Sequence, residues 1–408
     1  MNCRFCATPL VHIFADLGES PPSNSYLSAD QLDRSEPYFP LRVYVCDKCF
    51  LVQLDEFKPA TEIFDARYAY FSSYSQTWLD HARDYVAMAT DRFGLDGNSQ
   101  VIEIASNDGY LLQYFLERGI SVLGIEPTLS TATVAREKGI DTLTEFFGEA
   151  FADRLVDEGR QADLLLGNNV LAHVPDINDF VEGLRIALKP DGVITMEFPH
   201  LAQLVENNQF DTIYHEHFSY LSLFTTSKIF AAHGLTIFDV DEIPTHGGSL
   251  RIYATHSDRA AEPSDNVRRV LERESQLGLQ TIDYYLDFQK KAHKIRDDFV
   301  RFVTEAKTDH KKIAAYGAAA KGNTLLNYCG IKSDVISFVV DASPHKQRLY
   351  LPGGHIPIVS AERLIEEKPD IVVILPWNIK DEVMDQHSYI REWGGKFVVA
   401  VPRLEVYE

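Results

Sequence analysis

Val101-Ile102-Glu103-Ile104-Ala105-Ser106-Asn107-Asp108-Gly109-Tyr110-Leu111-Leu112-Gln113-Tyr114-Phe115-Leu116, continued by Val122-Leu123-Gly124-Ile125-Glu126-Pro127, decides the fold. Residues 101–105 form an apolar run of the kind a strand buried on both faces needs. Asn107-Asp108-Gly109 carries turn chemistry, and the residues after it hold enough apolar side chains to pack a helix on a sheet. A second buried strand ends in Glu126. Strand, tight turn, helix, strand and acid is the order of a nucleoside-binding crevice, in which a carboxylate at the end of the second strand accepts the ribose hydroxyl protons.

The glycine pattern separates the ligands this order permits. A pyrophosphate reaches a helix start through G-x-G-x-x-G, whereas this turn has only Gly109, and Glu103 and Asp108 add negative charge where phosphate would sit. Those acids suit a cationic ligand. The segment resembles motif I of class I methyltransferases in a glycine-thinned form, with Ala105 as the departure. The resemblance implies S-adenosylmethionine, held by Glu103, Ala105, Asn107, Asp108, Gly109 and Glu126, with Asn168 and Asn169 after a later strand.

Outward from this core, the pattern predicts further strands at 162–167, 193–198, 235–240 and 249–254, with Leu188-Lys189-Pro190-Asp191-Gly192 as the turn that closes a helix before the second of these. The last two, separated by Gly247-Gly248, are expected to form the antiparallel pair that ends a class I methyltransferase sheet. The expected organisation is α/β. A small zinc-binding domain spans 1–75, a central Rossmann-like methyltransferase domain 76–260, and a second Rossmann-like domain 261–408.

Four of the five cysteines form two C-x-x-C pairs, Cys3/Cys6 and Cys46/Cys49. Two such turns present four thiolates to one tetrahedral zinc, with every position taken by protein and none left for chemistry. The excursion 10–40 must fold back to bring the pairs together. After a polar, helix-rich stretch from 261 to 312, Ile313 to Thr324 reads as strand, small-residue turn and helix start. Strands at 335–340, 371–375 and 397–401 follow. Small residues around Gly317 let a ligand approach the backbone, and Lys321 with the helix start favours an anion. The P-loop pattern G-x-x-x-x-G-K-[ST] is absent.

Tyr214-His215-Glu216-His217-Phe218 concentrates two imidazoles, a carboxylate and a phenol. The spacing is not the i, i+4 pattern of a helical zinc site, so acid/base work is the better reading. His217 is the expected base, with Glu216 orienting it. Tyr214, His173, Tyr68 and Tyr70 are candidate donors to a substrate or enolate oxygen. Asp341 and Trp377-Asn378, at strand ends, are placed near a base-binding crevice.

Taken together, the paired cysteines, Glu103-x-x-x-Asn107-Asp108-Gly109, Asn169 to Pro175, Tyr214 to His217, His246-Gly247-Gly248 and Tyr316-Gly317-Ala318-Ala319-Ala320-Lys321 resemble the sugar C-methyltransferases of deoxysugar biosynthesis along nearly the whole chain. The resemblance implies a nucleotide-linked 4-keto-deoxysugar substrate, methylated at C3. It also implies that Tyr68, His246, Tyr316, Gly317 and Lys321 bind it, to which the helix start adds Asn323 and the strand ends add Asp341 and Trp377.

Composition bounds the alternatives. Asp plus Glu total 60 against 39 Lys plus Arg, a formal charge of -21, which argues against a nucleic-acid partner. No run approaches the ~18 apolar residues of a membrane span, and no apolar signal core opens the chain. A cytoplasmic protein, monomeric rather than obligately assembled, is expected. An O- or N-methyltransferase would keep the donor motif without needing a base for carbon acidity. A dual-nucleotide oxidoreductase would need a glycine fingerprint that is missing, and an RNA-binding methyltransferase or scaffold would need a basic face.

Overall fold

The structure is a computed structural model that describes residues 1–57 and 71–408, so Tyr68 and Tyr70 lie outside the described residues. Two compact units divide the chain and interleave along it. One contains Met1–Leu10, Cys46–Leu201 and Phe218–Thr281; the other contains Val11–Val45, Ala202–His217 and Ile282–Glu408.

The first unit is built on seven strands: β1 (Gln100–Ile104), β2 (Ser121–Ile125), β3 (Thr142–Leu143), β4 (Ala162–Asn168), β5 (Leu188–Pro199), β6 (Leu235–Ile243) and β7 (Ser249–His256). Their order is β6-β7-β5-β4-β1-β2-β3. Strands β1 to β5 run parallel, while β7 is antiparallel to both β5 and β6. This is the expected ending, and it gives the class I methyltransferase sheet.

The Leu188 to Gly192 stretch does not form the expected helix-closing turn. It is already strand, and pairing with β4 passes from Ala162↔Leu188 to Leu164↔Val193, so the extra residues are absorbed as a bulge. Gly192 fits there because a Cβ would stand 2.7 Å from the Ala162 carbonyl.

Helix Gln76–Phe93 packs against the motif-bearing part of this sheet. Ser75 caps it by accepting from the Trp78 N–H, and Gly94 ends it in the left-handed conformation at φ 61°. Ala82, Tyr85, Val86 and Ala89, at the i, i+3, i+4, i+7 spacing, bury one face in a cluster with Val101, Leu112 and Phe115.

In the second unit, strands His12–Ser20 and Phe39–Val45 pair antiparallel from His12↔Val45 to Ser20↔Phe39. The excursion thus returns to where it started. Its Phe14 ring stacks on Phe288 at 4.4 Å and meets Tyr285 edge-on at 6.0 Å. The sheet of this unit comprises β8 (Ile313–Tyr316), β9 (Val339–Val340), β10 (Ile358–Val359), β11 (Ile371–Ile374), β12 (Lys396–Val399) and β13 (Glu405–Tyr407), in the order β10-β9-β8-β11-β12-β13. All pairs are parallel except the last. The β9 strand is two residues long, shorter than the expected 335–340. Among the described residues, no helix is long and apolar enough to cross a membrane.

Candidate functional site

In the first unit a cleft of about 1050 Å³, mouth included, opens at the carboxyl ends of β1, β2 and β4. The turn after β1 makes it. Ala105, Asn107 and Gly109 have φ of 55°, 50° and 74°, three left-handed residues within five, so the backbone doubles back against the strand end. Gly109 is needed on a second count, because a Cβ would stand 2.3 Å from Ile140 Cδ1.

Glu126, at the end of β2, holds this turn. Its Oε2 accepts from the Asn107 N–H at 2.9 Å and its Oε1 from the Thr128 N–H at 2.8 Å. Burial raises its pKa against those two backbone donors. The Thr128 and Thr131 hydroxyls also act on this carboxylate.

The expected donor-binding residues divide by position. Ala105, Asn107, Glu126, Asn168 and Asn169 line the cleft, as do His173 and His246. Asp108 does not: it accepts from the Ser73 N–H at 3.3 Å and lies 3.8 Å from the Lys138 ammonium. Gly109 shapes the turn, and Glu103 is buried on β1, its carboxyl pushed well above the usual range by burial. The Oδ1 atoms of Asn168 and Asn169 are shielded from solvent and meet no donor among the described residues. Two orphaned acceptors beside buried carboxylates fit a ligand that is cationic and rich in N–H donors, as the methionine part of S-adenosylmethionine is.

Sequence reasoning missed Trp78, Phe146, Phe147 and Phe180, which give the cleft its apolar walls. Their signal was faint, since isolated aromatics in helices and loops look like ordinary packing residues.

The four cysteines of the first unit converge. Their sulfurs lie within 4.8 Å of one another, with Cys3–Cys49 and Cys6–Cys46 at 3.5 Å and Cys6–Cys49 at 3.6 Å. A tetrahedron of Zn–S bonds near 2.3 Å needs sulfurs roughly 3.8 Å apart. The donor set and spacing fit zinc. Gln53 adds an N–H bond to Cys3 Sγ at 3.2 Å.

Tyr214 to His217 belongs to the second unit, outside the expected 76–260 domain. The segment is a turn. His217 Nδ1 faces the Thr212 carbonyl at 2.9 Å, and Nε2 faces the Tyr214 hydroxyl at 2.7 Å. A carbonyl only accepts, so Nδ1 carries a proton and Nε2 is the nitrogen turned to Tyr214.

A backbone carbonyl therefore orients His217, not Glu216 as expected. Glu216 Oε2 accepts from Asn24 Nδ2 at 2.7 Å, and burial pushes its carboxyl up to about 7. His215 faces the Pro40 carbonyl at 3.3 Å and is lowered by burial.

The same unit ties this turn to the small-residue stretch after β8. Tyr26 donates to the Ala318 carbonyl at 2.6 Å and lies 3.2 Å from Asn24 Oδ1, while Thr324 donates to the Ile213 carbonyl at 2.9 Å. Asp341 Oδ2 accepts from the Ala318 N–H at 2.8 Å. Gly317, at φ 89°, has no room for a Cβ, which would stand 2.5 Å from Pro376.

Lys321 donates to Asn378 Oδ1 at 2.6 Å and lies 4.8 Å over the Trp377 ring; burial lowers its pKa and Asp211 opposes that. Trp377 donates from Nε1 to Asp211 Oδ2 at 2.7 Å. Asn323 is buried with its Nδ2 3.4 Å from the Ser23 carbonyl, and Tyr316 meets the His387 ring at 4.8 Å. Asn24, Tyr26 and Asp211 were not foreseen, because nothing local in the sequence assigns the 11–45 excursion, or an acid at 211, to this cluster.

Residues 3–64 match a zinc binding domain, 78–240 a methyltransferase domain and 244–402 a C-methyltransferase C-terminal domain. The chain is 33% identical over 405 residues to C-methyltransferase NovU of Streptomyces niveus, covering 99% of this chain and 96% of that one. It is also 25% identical over 140 residues to a ubiquinone biosynthesis O-methyltransferase of Bartonella tribocorum, covering 34% of this chain and 54% of that one. A solved complex of DhpI with SAH shares 22% identity and a TM-score of 0.34 over 48% of this chain and 94% of that one. The full-length match and the three successive domains establish that this chain belongs to the C-methyltransferase family, as an S-adenosylmethionine-dependent enzyme with a zinc-binding N-terminal segment.

Proposed function

We propose that the chain methylates a carbon next to the ketone of a nucleotide-linked 4-keto-deoxysugar, at C3, with His217 as the base. The observation that carries this reading is the imidazole fixed by the Thr212 carbonyl, with its second nitrogen turned to the Tyr214 hydroxyl. A carbon nucleophile is poor until a proton is removed, and an imidazole of ordinary pKa near ~6.5 suits that removal at neutral pH.

In the proposed reaction the C3–H bond breaks and its proton passes to His217 Nε2, directly or through the Tyr214 hydroxyl. The electron pair delocalises onto the C4 oxygen as an enolate. Tyr214 then donates to that oxygen, a role in which Tyr70 and His173 are further candidates. The donor supplies an electrophilic methyl and leaves as the neutral thioether. Glu126, Asn107, Asn168 and Asn169 hold it in a cleft lined with aromatic side chains, which excludes water. The proposal assigns substrate binding to Tyr316, Gly317, Lys321, Asn323, Asp341 and Trp377, with Tyr68 and His246 added from the family resemblance. The same reading has the protein working in the cytoplasm as a monomer, without nucleic-acid or membrane partners.

The test uses His217→Asn in deuterated water with a panel of nucleotide-linked 4-keto-deoxysugars. The substitution is expected to lower substrate hydrogen exchange by a factor of ~10² or more while leaving calorimetric binding of S-adenosylhomocysteine intact. Exchange at the native rate assigns the base elsewhere.

A further inference from the structure

A structural zinc site needs its four sulfurs and their hydrogen bonds, yet Arg4, between two of the ligands, reaches well beyond them. Its guanidinium donates from one NH₂ group to the Pro175 carbonyl and from the other to the Leu54 carbonyl, each at 2.6 Å, and lies 5.3 Å over the Phe218 ring. Its own N–H donates to Gln53 Oε1 at 2.9 Å, and the same Gln53 bonds Cys3 Sγ. From the other side, Asn178 Nδ2 donates to the carbonyls of Arg4 at 3.2 Å and Phe5 at 3.0 Å.

Pro175 is a wall of the donor cleft, together with His173 and Val174. Having no N–H, it is tied to its surroundings by polar contact only through its carbonyl. The segment from Asn168 to Asp176 has one short 3-10 turn. Past Asn168 its backbone is tied at Asn169, which donates to the Glu197 carbonyl at 2.8 Å, and at Ala172, whose carbonyl accepts from the Phe218 N–H at 2.7 Å, which leaves the stretch at Pro175 to Arg4. Charge-assisted bonds are strong, and this one is partly shielded from solvent.

We propose that Arg4 is a positioning residue for the methyl-donor cleft: it fixes the Asn168–Asp176 wall to the zinc-bound turn, so that metal binding and donor affinity are coupled within one unit. The proposal rests on the family's donor chemistry and not on the identity of the sugar. A zinc site that served only to hold its own segment together would not need this contact.

The test compares Arg4→Gln and Arg4→Lys in the full-length zinc-loaded protein, reading zinc per chain by elemental analysis and S-adenosylhomocysteine affinity by calorimetry. Both variants are expected to keep wild-type zinc. Arg4→Gln is expected to weaken the ligand about tenfold, and Arg4→Lys, which retains the charge and can reach one carbonyl, by less. Wild-type affinity in zinc-loaded Arg4→Gln overturns the proposal. Should that variant fail to fold, Asn178→Ala cuts the other tie and is read in the same way, with a weaker ligand supporting the coupling and unchanged affinity overturning it.

Discussion

Glu216 shows what a single residue reveals and what it hides. Its place beside two histidines suggested a partner for His217, and the residue types for proton transfer were legible. Which group orients which was not, because hydrogen bonds to Thr212 and Asn24 depend on turn geometry and on a segment nearly 200 positions away. The burial has a measurable consequence. A carboxyl raised from 4.5 to about 7 keeps its proton in the folded chain where the unfolded chain has lost it, so this contribution to stability falls as pH rises through that window. The loss amounts to about 3 kcal/mol at most. Thermal unfolding of wild type and Glu216→Gln between pH 5 and 8 should show the wild type losing stability relative to the variant as pH rises. Parallel profiles contradict this.

At the scale of elements, apolar runs and turn residues identified the longer parallel strands of both sheets, because buried strands carry a strong local pattern. The two-residue strands Thr142–Leu143 and Ile358–Val359 were too short to show one. Strand ends were less legible. Leu188 to Gly192 looks like a turn by composition, but pairing with β4 holds it extended, and Val335 to Phe338 looks like strand yet only Val339–Val340 pairs. The motif turn was legible as a bend after the strand, while the contacts of buried Asp108 with Ser73 and Lys138 have no local signature. Gly109→Ala tests the bend. A left-handed alanine costs ~1–2 kcal/mol and its Cβ must displace Ile140, so the variant should unfold at lower temperature and bind S-adenosylhomocysteine at least about tenfold more weakly. Unchanged binding by calorimetry would show that the turn does not form the cleft.

For the molecule as a whole, the order of segments was legible and their assembly was not. The zinc-binding, donor-binding and second Rossmann-like stretches follow one another in sequence, yet residues 11–45 and 202–217 are counted with the last of them. Periodicity reports the type of each element, whereas the partner of a hairpin such as His12–Ser20 with Phe39–Val45 is decided by contacts like Phe14 on Phe288. The four cysteines were the exception, since their chemistry names their neighbours in advance. Elemental analysis should find about one zinc per chain, and chelation should lower the unfolding temperature. Protein purified without chelator and free of zinc contradicts that assignment.

The claim on which the rest depends is transfer to carbon. Incubation with S-adenosylmethionine carrying a ¹³C methyl group and the panel of nucleotide-linked 4-keto-deoxysugars, followed by NMR of the product, tests it most directly. The account predicts a labelled methyl bonded to the ring carbon beside the ketone, with that carbon's hydrogen gone; label found only on oxygen or nitrogen, or no transfer to any member of the panel, contradicts it.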